Sequence, residues 1–181
     1  LQESFRRVRE LCPAERVMVL THQKYVEEVV RQLPELPRAN IVGEPERRDT
    51  AAAVALAALM GKQRFGESVM LMLTADHWIQ PLEEFHLAVR EMVEGASRPG
   101  AVYTMGIKPN YPATGYGYLK LGERLERGHL PHYRLECFRE KPDLATARAY
   151  VADGSYYWNG GMFCFTAGAF LDALAKVAPE L

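Results

Sequence analysis

The stretch Val69 to Ile79, VMLMLTADHWI, constrains the fold of this chain more than any other. The apolar run Val69 to Leu73 predicts a central strand buried on both faces of a parallel sheet. It stops at Thr74, Ala75, Asp76 and His77, which puts a carboxylate and an imidazole where the strand emerges. Ligands of open α/β sheets bind just outside the carboxyl ends of strands, so Asp76 is the first candidate for chemistry. As a purely structural residue it would serve as a loop or cap position ahead of the helix that Pro81 can open.

Elements of matching character lie on both sides of this stretch. Residues 1 to 11 predict a helix with Leu1, Phe5, Val8 and Leu11 on one side, ended by Pro13, and Arg16 to Leu20 predicts a short buried strand. Tyr25, Val26, Val29, Val30 and Leu33 repeat at helical spacing until Pro34 and Pro37 break the pattern. A strand at Ala39 to Val42 leads into the charged turn GEPERRDT, where Thr50 can cap an alanine-rich helix over 51–61. Beyond Asp76 come a helix over 82–93 and a strand over 101–107. Strand alternating with helix this far argues for a parallel α/β sheet with right-handed crossovers.

After residue 107 the character changes. The Pro/Gly loop KPNYPATGYGYLK and the strand YRLECF are separated by a polar segment with no helical crossover, which suggests an antiparallel excursion. A helix over 143–152 follows, with Asp143 as N-cap and Gly154 at its exit. SYYWNGG then precedes a strand MFCFT, and a last helix covers 169–177.

Charge and cysteine usage exclude several function classes. With 22 basic and 23 acidic residues well mixed, the chain has no electrostatic footprint for a nucleic acid polymer. No hydrophobic run approaches the roughly 20 residues needed to cross a bilayer. Cys12, Cys137 and Cys164 are widely spaced; Cys137 and Cys164 sit in apolar runs and read as buried small hydrophobes.

The polar loops offer a coherent set of groups. His22, GEPERRDT, Asp76-His77, TGYGY, Glu140-Lys141 and Trp158-Asn159-Gly160-Gly161 all adjoin strands, and a sheet can bring such loops to one edge. Carboxylates, cations, amides and glycine backbone together suit a polyhydroxylated, phosphorylated ligand. Glu140 and Asn159 can pair with hydroxyls, Lys141 can meet a phosphate, and Gly115 and Gly117 let main-chain N–H groups approach a ring. The structural alternatives are a solvated turn at Glu140-Lys141-Pro142, strand residues at Tyr116 and Tyr118, and a core position at Trp158. No HExxH or CxxC pattern supports zinc, and no GxGxxG or GxxxxGK[ST] supports a dinucleotide or Walker site. Asp76 can serve Mg²⁺, which accepts one or two carboxylates and completes its shell with water and phosphate oxygens.

Four segments in order, GEPERRDTAAAVALAAL at 43–59, LTADHWI at 73–79, GIKPNYPATGYGYL at 106–119 and FREKPDLATARAYVADGSYYWNGGMFCF at 138–165, closely resemble the mannose-1-phosphate guanylyltransferases of the sugar-nucleotide transferase superfamily. The resemblance implies a glycosyltransferase-A-like, Rossmann-like α/β/α domain on a mostly parallel mixed sheet. It implies transfer of the guanylyl group of GTP to α-D-mannose 1-phosphate, giving GDP-mannose and pyrophosphate, with Mg²⁺ as cofactor and a cytoplasmic location. Carried over, Asp76 is the catalytic metal ligand; Arg48, Asp49 and Thr50 lie near the nucleotide. Gly115, Glu140 and Asn159 hold the mannose ring, and Lys141 neutralises the sugar phosphate. The family usually has Asn where this chain has Asp49, often Pro within Ala51 to Ala53, and usually Ser at Gly160. Its opening glycine-rich signature has no counterpart, so residues 1–181 are expected to be an incomplete catalytic domain, truncated at both ends. Homo-oligomerisation of the full protein stays open. The alternatives are a non-catalytic sugar-nucleotide-binding regulatory homologue and the same chemistry on another hexose 1-phosphate or nucleotide.

Overall fold

The computed structural model describes residues 1–46 and 49–178, with Asp49 described by its helical backbone alone. Its elements in chain order are α1 (Gln2–Arg9), β1 (Val19–His22), α2 (Val26–Gln32), β2 (Ile41–Glu44), α3 (Asp49–Phe65), β3 (Val69–Met72), α4 (Leu82–Ala96), β4 (Val102–Ile107), β5 (Tyr118–Leu125), β6 (His132–Arg139), α5 (Leu144–Asp153), β7 (Tyr156–Thr166) and α6 (Ala167–Val177). They divide into two compact units, one of Leu1–Val102 with Cys164–Leu181 and one of Tyr103–Phe163.

In the first unit, helical spacing decides what is buried. Val26 and Val29 turn one face of α2 inward, with Leu33 just past its end, against Phe5 of α1, Leu36 and Ile41. Each such fully buried aliphatic side chain stabilises by about 1.5–3 kcal/mol relative to exposure. β1 and β2 pair in parallel from Val19↔Ile41 to His22↔Glu44. The buried Asn40 ties this corner to α3: its amide donates to the Glu15 and Val17 carbonyls at 2.9 Å each, and Arg64 donates to its Oδ1 at 2.8 Å. The small residues Ala55, Ala57 and Ala58 of α3 are buried, and α3 packs on α6. Phe85, Val89, Met92 and Ala96 form the inner stripe of α4.

Several expectations require correction. β3 is half-buried along its whole length and ends the strand order β3-β7-β5-β6, so the run at 69–73 is not a centre buried on both faces. β1 begins at Val19 because a 3-10 turn occupies Ala14–Arg16. α3 begins at Asp49, which places Thr50 inside its first turn rather than at the cap. Cys164 is fully buried, whereas Cys137 is half-exposed.

The second unit overturns the mostly parallel sheet. β5 pairs antiparallel with β6 on one side, Leu119↔Phe138, and with β7 on the other, Leu119↔Tyr157. β4 also pairs with β7. β6 and β7 therefore run in the same direction, joined by the helical crossover α5. The crossover skips one position, and β5 fills the gap. A helix between two strands fixes their relative direction but not their adjacency, so the hydrogen-bonded neighbours here are antiparallel. Parallel pairing is seen in β1·β2. As expected, Asp143 caps α5 by accepting from the Thr146 N–H at 2.8 Å, and Gly154 ends it in the left-handed region at φ 77°. Among the described residues no helix is long and apolar enough to cross a membrane.

Candidate functional site

Register builds the site of the second unit. Tyr118 lies opposite Arg139 on β6 and opposite Trp158 on β7. Extending each ladder by one residue puts Gly117 between Glu140 and Asn159, and residues directly opposite share a sheet face. Contacts bear this out. The Asn159 N–H donates to the Gly117 carbonyl at 2.7 Å. A Cβ on Gly117 would stand 2.7 Å from Phe138 Cζ and 3.0 Å from Glu140 Oε2, so only glycine lets the ring and the carboxylate close on this backbone.

The Asn159 side chain is oriented from within its own unit. Its Oδ1 accepts from the Gly161 N–H at 3.2 Å and lies 3.1 Å from the Thr104 hydroxyl, which also reaches the Met162 carbonyl at 3.0 Å. Because a backbone N–H can only donate, Oδ1 must face Gly161. Nδ2 then presents two N–H donors that meet no acceptor among the described residues. Gly161 has φ 64°, and a Cβ on Gly160 would stand 2.9 Å from the Met105 carbonyl oxygen. A serine at 160 requires a backbone shift here.

Lys141 adjoins Glu140, with Nζ 3.2 Å from Glu140 Oε1 and both side chains largely exposed. Its φ is 39°, a left-handed conformation that non-glycine residues adopt at a cost and that gathers at functional sites. The Asp143 carboxyl just beyond is held below the usual carboxylate range by its hydrogen bonds to Thr146.

The loop over 108–117 is pinned from beneath. Tyr118 is fully buried and donates its hydroxyl to the Ala113 carbonyl at 2.9 Å, and its ring packs on Tyr150, which stacks on Tyr156. Above it, Tyr111 and Tyr116 meet Trp158 edge-on at 4.9 and 5.3 Å. The Tyr111 hydroxyl is held above its ordinary pKa chiefly by its hydrogen bond with Tyr116. Trp158 is half-buried, and its indole N–H has no acceptor among the described residues. Gly115 is exposed, and a Cβ there would meet nothing within 4 Å. Packing does not demand a glycine at 115 as it does at 117.

In the first unit, Asp76 stands exposed in the turn after β3, and its carboxylate meets no partner among the described residues. The carbonyls on either side of it are engaged: Ala75 accepts from the Ser4 hydroxyl at 3.0 Å, and His77 accepts from Arg7 Nη2 at 2.8 Å. Thr74 Oγ1 is buried without a hydrogen-bond partner. Among the described residues no group of three His, Cys, Asp or Glu could hold a metal. One free carboxylate still fits Mg²⁺, which takes most of its shell from water and substrate phosphates. Arg48 and the Asp49 side chain lie outside the described residues, and Thr50 is exposed in the first turn of α3.

Glu140, Lys141 and Asn159 are thus brought to one corner around Gly117, with Gly115 two residues away on the same turn. Gly117 was expected to let its main-chain N–H approach a ring, and it is the Gly117 carbonyl that is engaged, by the Asn159 N–H. Thr104 was not expected: it lies inside β4 with nothing in the local pattern to mark it.

The chain matches the model of the nucleotidyl transferase family over residues 5–181. It is 43% identical over 184 residues to a mannose-1-phosphate guanylyltransferase of Klebsiella pneumoniae, covering 100% of this chain and 38% of that protein. It is 46% identical over 164 residues to one from Escherichia coli K12, covering 88% and 34%. The chain therefore spans little more than a third of these relatives' length. Among solved structures, a Thermus thermophilus protein described as a mannose-1-phosphate geranyltransferase superposes with a TM-score of 0.87 at 34% identity, over 98% of this chain and 50% of that one.

Proposed function

The chain belongs to the nucleotidyl transferase family, and from that premise we propose that the whole protein transfers the guanylyl group of GTP to α-D-mannose 1-phosphate, forming GDP-mannose and pyrophosphate. The observation that carries this reading is the convergence of Glu140, Lys141 and the outward Nδ2 of Asn159 around Gly117, a corner with an acceptor, a cation and paired donors. Relatives named for this reaction support the choice of sugar and base.

In this reading Glu140 accepts from mannose hydroxyls and Asn159 donates to them, while Gly115 leaves room for the ring. Lys141 neutralises the sugar phosphate, and Arg48, Asp49 and Thr50 lie near the nucleotide. Asp76 would hold Mg²⁺, which when bound neutralises phosphate charge. The sugar-phosphate oxygen attacks the α-phosphorus of GTP in line, pyrophosphate leaves, and no protein nucleophile takes part. The protein's contribution is positioning and charge neutralisation. The nucleotide substrate goes with a cytoplasmic location.

The test is pyrophosphate release from GTP, with mannose 1-phosphate and Mg²⁺, by the full-length protein and its Asp76→Asn variant. The expected result is sugar-phosphate-dependent release that falls by orders of magnitude in the variant with an unchanged melting curve. Near-normal turnover in Asp76→Asn would remove the metal role. GDP-mannose binding with no turnover in the unaltered protein would replace catalysis with a regulatory reading.

A further inference from the structure

We infer that Ser4 and Arg7 are positioning residues for Asp76, fixing the backbone on both sides of its carboxylate; this rests on the reading of Asp76 as the metal-holding residue. The turn after β3 has left the sheet, and two of its carbonyls find donors on α1. The Ser4 hydroxyl meets the Ala75 carbonyl at 3.0 Å and Arg7 Nη2 meets the His77 carbonyl at 2.8 Å. Ser4 and Arg7 lie three residues apart on one face of α1, and Arg7 Nη2 also reaches Ser4 Oγ at 3.5 Å. A single helix thus holds the carbonyls of the two residues on either side of Asp76 and leaves its side chain free for a ligand.

Arg7 is a poor residue for packing alone. It is only 4% exposed, burial pushes its pKa down, and the Glu3 carboxylate opposes that shift. Among the described residues it forms no ion pair; its charge meets the His77 carbonyl, Ser4 and the Phe85 ring, whose centroid lies 5.3 Å away. An apolar side chain would fill this space without burying a charge. Arg7 is itself held in place, because His86 Nε2 lies 2.9 Å from the Arg7 carbonyl and His86 Nδ1 lies 3.4 Å from Glu10. The buried cation therefore acts where it meets the Asp76 turn, as partners behind a ligand do when they orient it.

The test uses full-length Ser4→Ala, Arg7→Lys and Arg7→Met, with Asp76→Asn alongside. For Arg7→Met we expect Mg²⁺ half-saturation to rise roughly 10–100-fold, with the KM for mannose 1-phosphate changing by less than about twofold. Ser4→Ala should move Mg²⁺ half-saturation in the same direction, and Arg7→Lys should restore part of the loss. Amide hydrogen exchange across 75–78 should accelerate in Arg7→Met and Ser4→Ala, a readout independent of turnover. Unchanged Mg²⁺ dependence and unchanged exchange in both would overturn the inference. If Asp76→Asn turns over normally, the metal reading itself fails, and the exchange measurement still decides whether the clamp exists. Should Arg7→Met not fold, Ser4→Ala and Arg7→Lys carry the same comparison.

Discussion

The backbone N–H of Asn159 and the carbonyl of Gly117 are joined at 2.7 Å, so that a strand residue of β7 and the residue entering β5 are a fixed pair. Glu140 closes on the same glycine from the other side. The two glycines of TGYGY therefore differ in what they are for.

Gly117→Ala forces a methyl group against Phe138 and Glu140. Both are exposed side chains that can swing aside, so the cost is about 1 kcal/mol, the melting temperature should fall slightly, and turnover should fall as Glu140 is displaced. Gly115→Ala enters open space and should leave stability within about 0.5 kcal/mol while raising the KM for the sugar phosphate. Thermal melts and steady-state kinetics on the two variants check the contrast. Equal loss of stability in both would contradict it.

Asn159→Asp keeps an oxygen for the Gly161 N–H and removes the outward donors. Folding should be retained, as read by circular dichroism. The KM for mannose 1-phosphate should rise at least roughly tenfold, the equivalent of one lost hydrogen bond of about 1.4 kcal/mol.

Lys141 separates strain from chemistry. Lys141→Gly relieves the φ of 39° and should be more stable than Lys141→Ala by about 1 kcal/mol. Both variants lose the ammonium, so both should lose activity to the same extent. Chemical denaturation and pyrophosphate release measure the two halves.

Cys164 is pushed up to about 12 by burial from a starting value of 9.0. Its folded-state pKa is raised, so its contribution to stability is complete below pH 9 and is lost as pH rises toward 12. At pH 9 iodoacetamide should modify Cys137 in the folded protein and reach Cys164 only after denaturation. Mass spectrometry of the alkylated peptides gives the answer. Labelling of both thiols at equal rates would show that Cys164 is accessible.

Much of the element order was legible because it rests on local rules. Helical spacing marked α2 and α4, and Asp143 with Gly154 marked the ends of α5. What escaped was adjacency. The run 69–73 has the same composition at the centre of a sheet or at its end, and only the pairing partners distinguish the two. SYYWNGG was expected to precede a strand yet lies largely within β7, because the backbone ladder that holds it there is made with β5. The corner at Glu140 and Asn159 was visible as residue types. Gly117 was marked by the TGYGY pattern, but its pairing with Asn159 and the part of Thr104 act across strands distant in sequence, where local pattern carries no information.

The skipped crossover also bears on how the second unit comes to exist. β5 and β6 are neighbours in sequence, whereas β7 must cross the length of β6 and α5 to reach β5. Loop closure favours the short-range hairpin first, leaving the free edge of β5 as the template on which β7 later docks. The Gly117–Asn159 bond belongs to that second event. A nascent chain can therefore hold Glu140 and Lys141 just past the β5–β6 hairpin before β7 brings Asn159 to them. The complete corner emerges only with that later docking, so substitutions at Asn159 should act on unfolding rates far more than on folding rates.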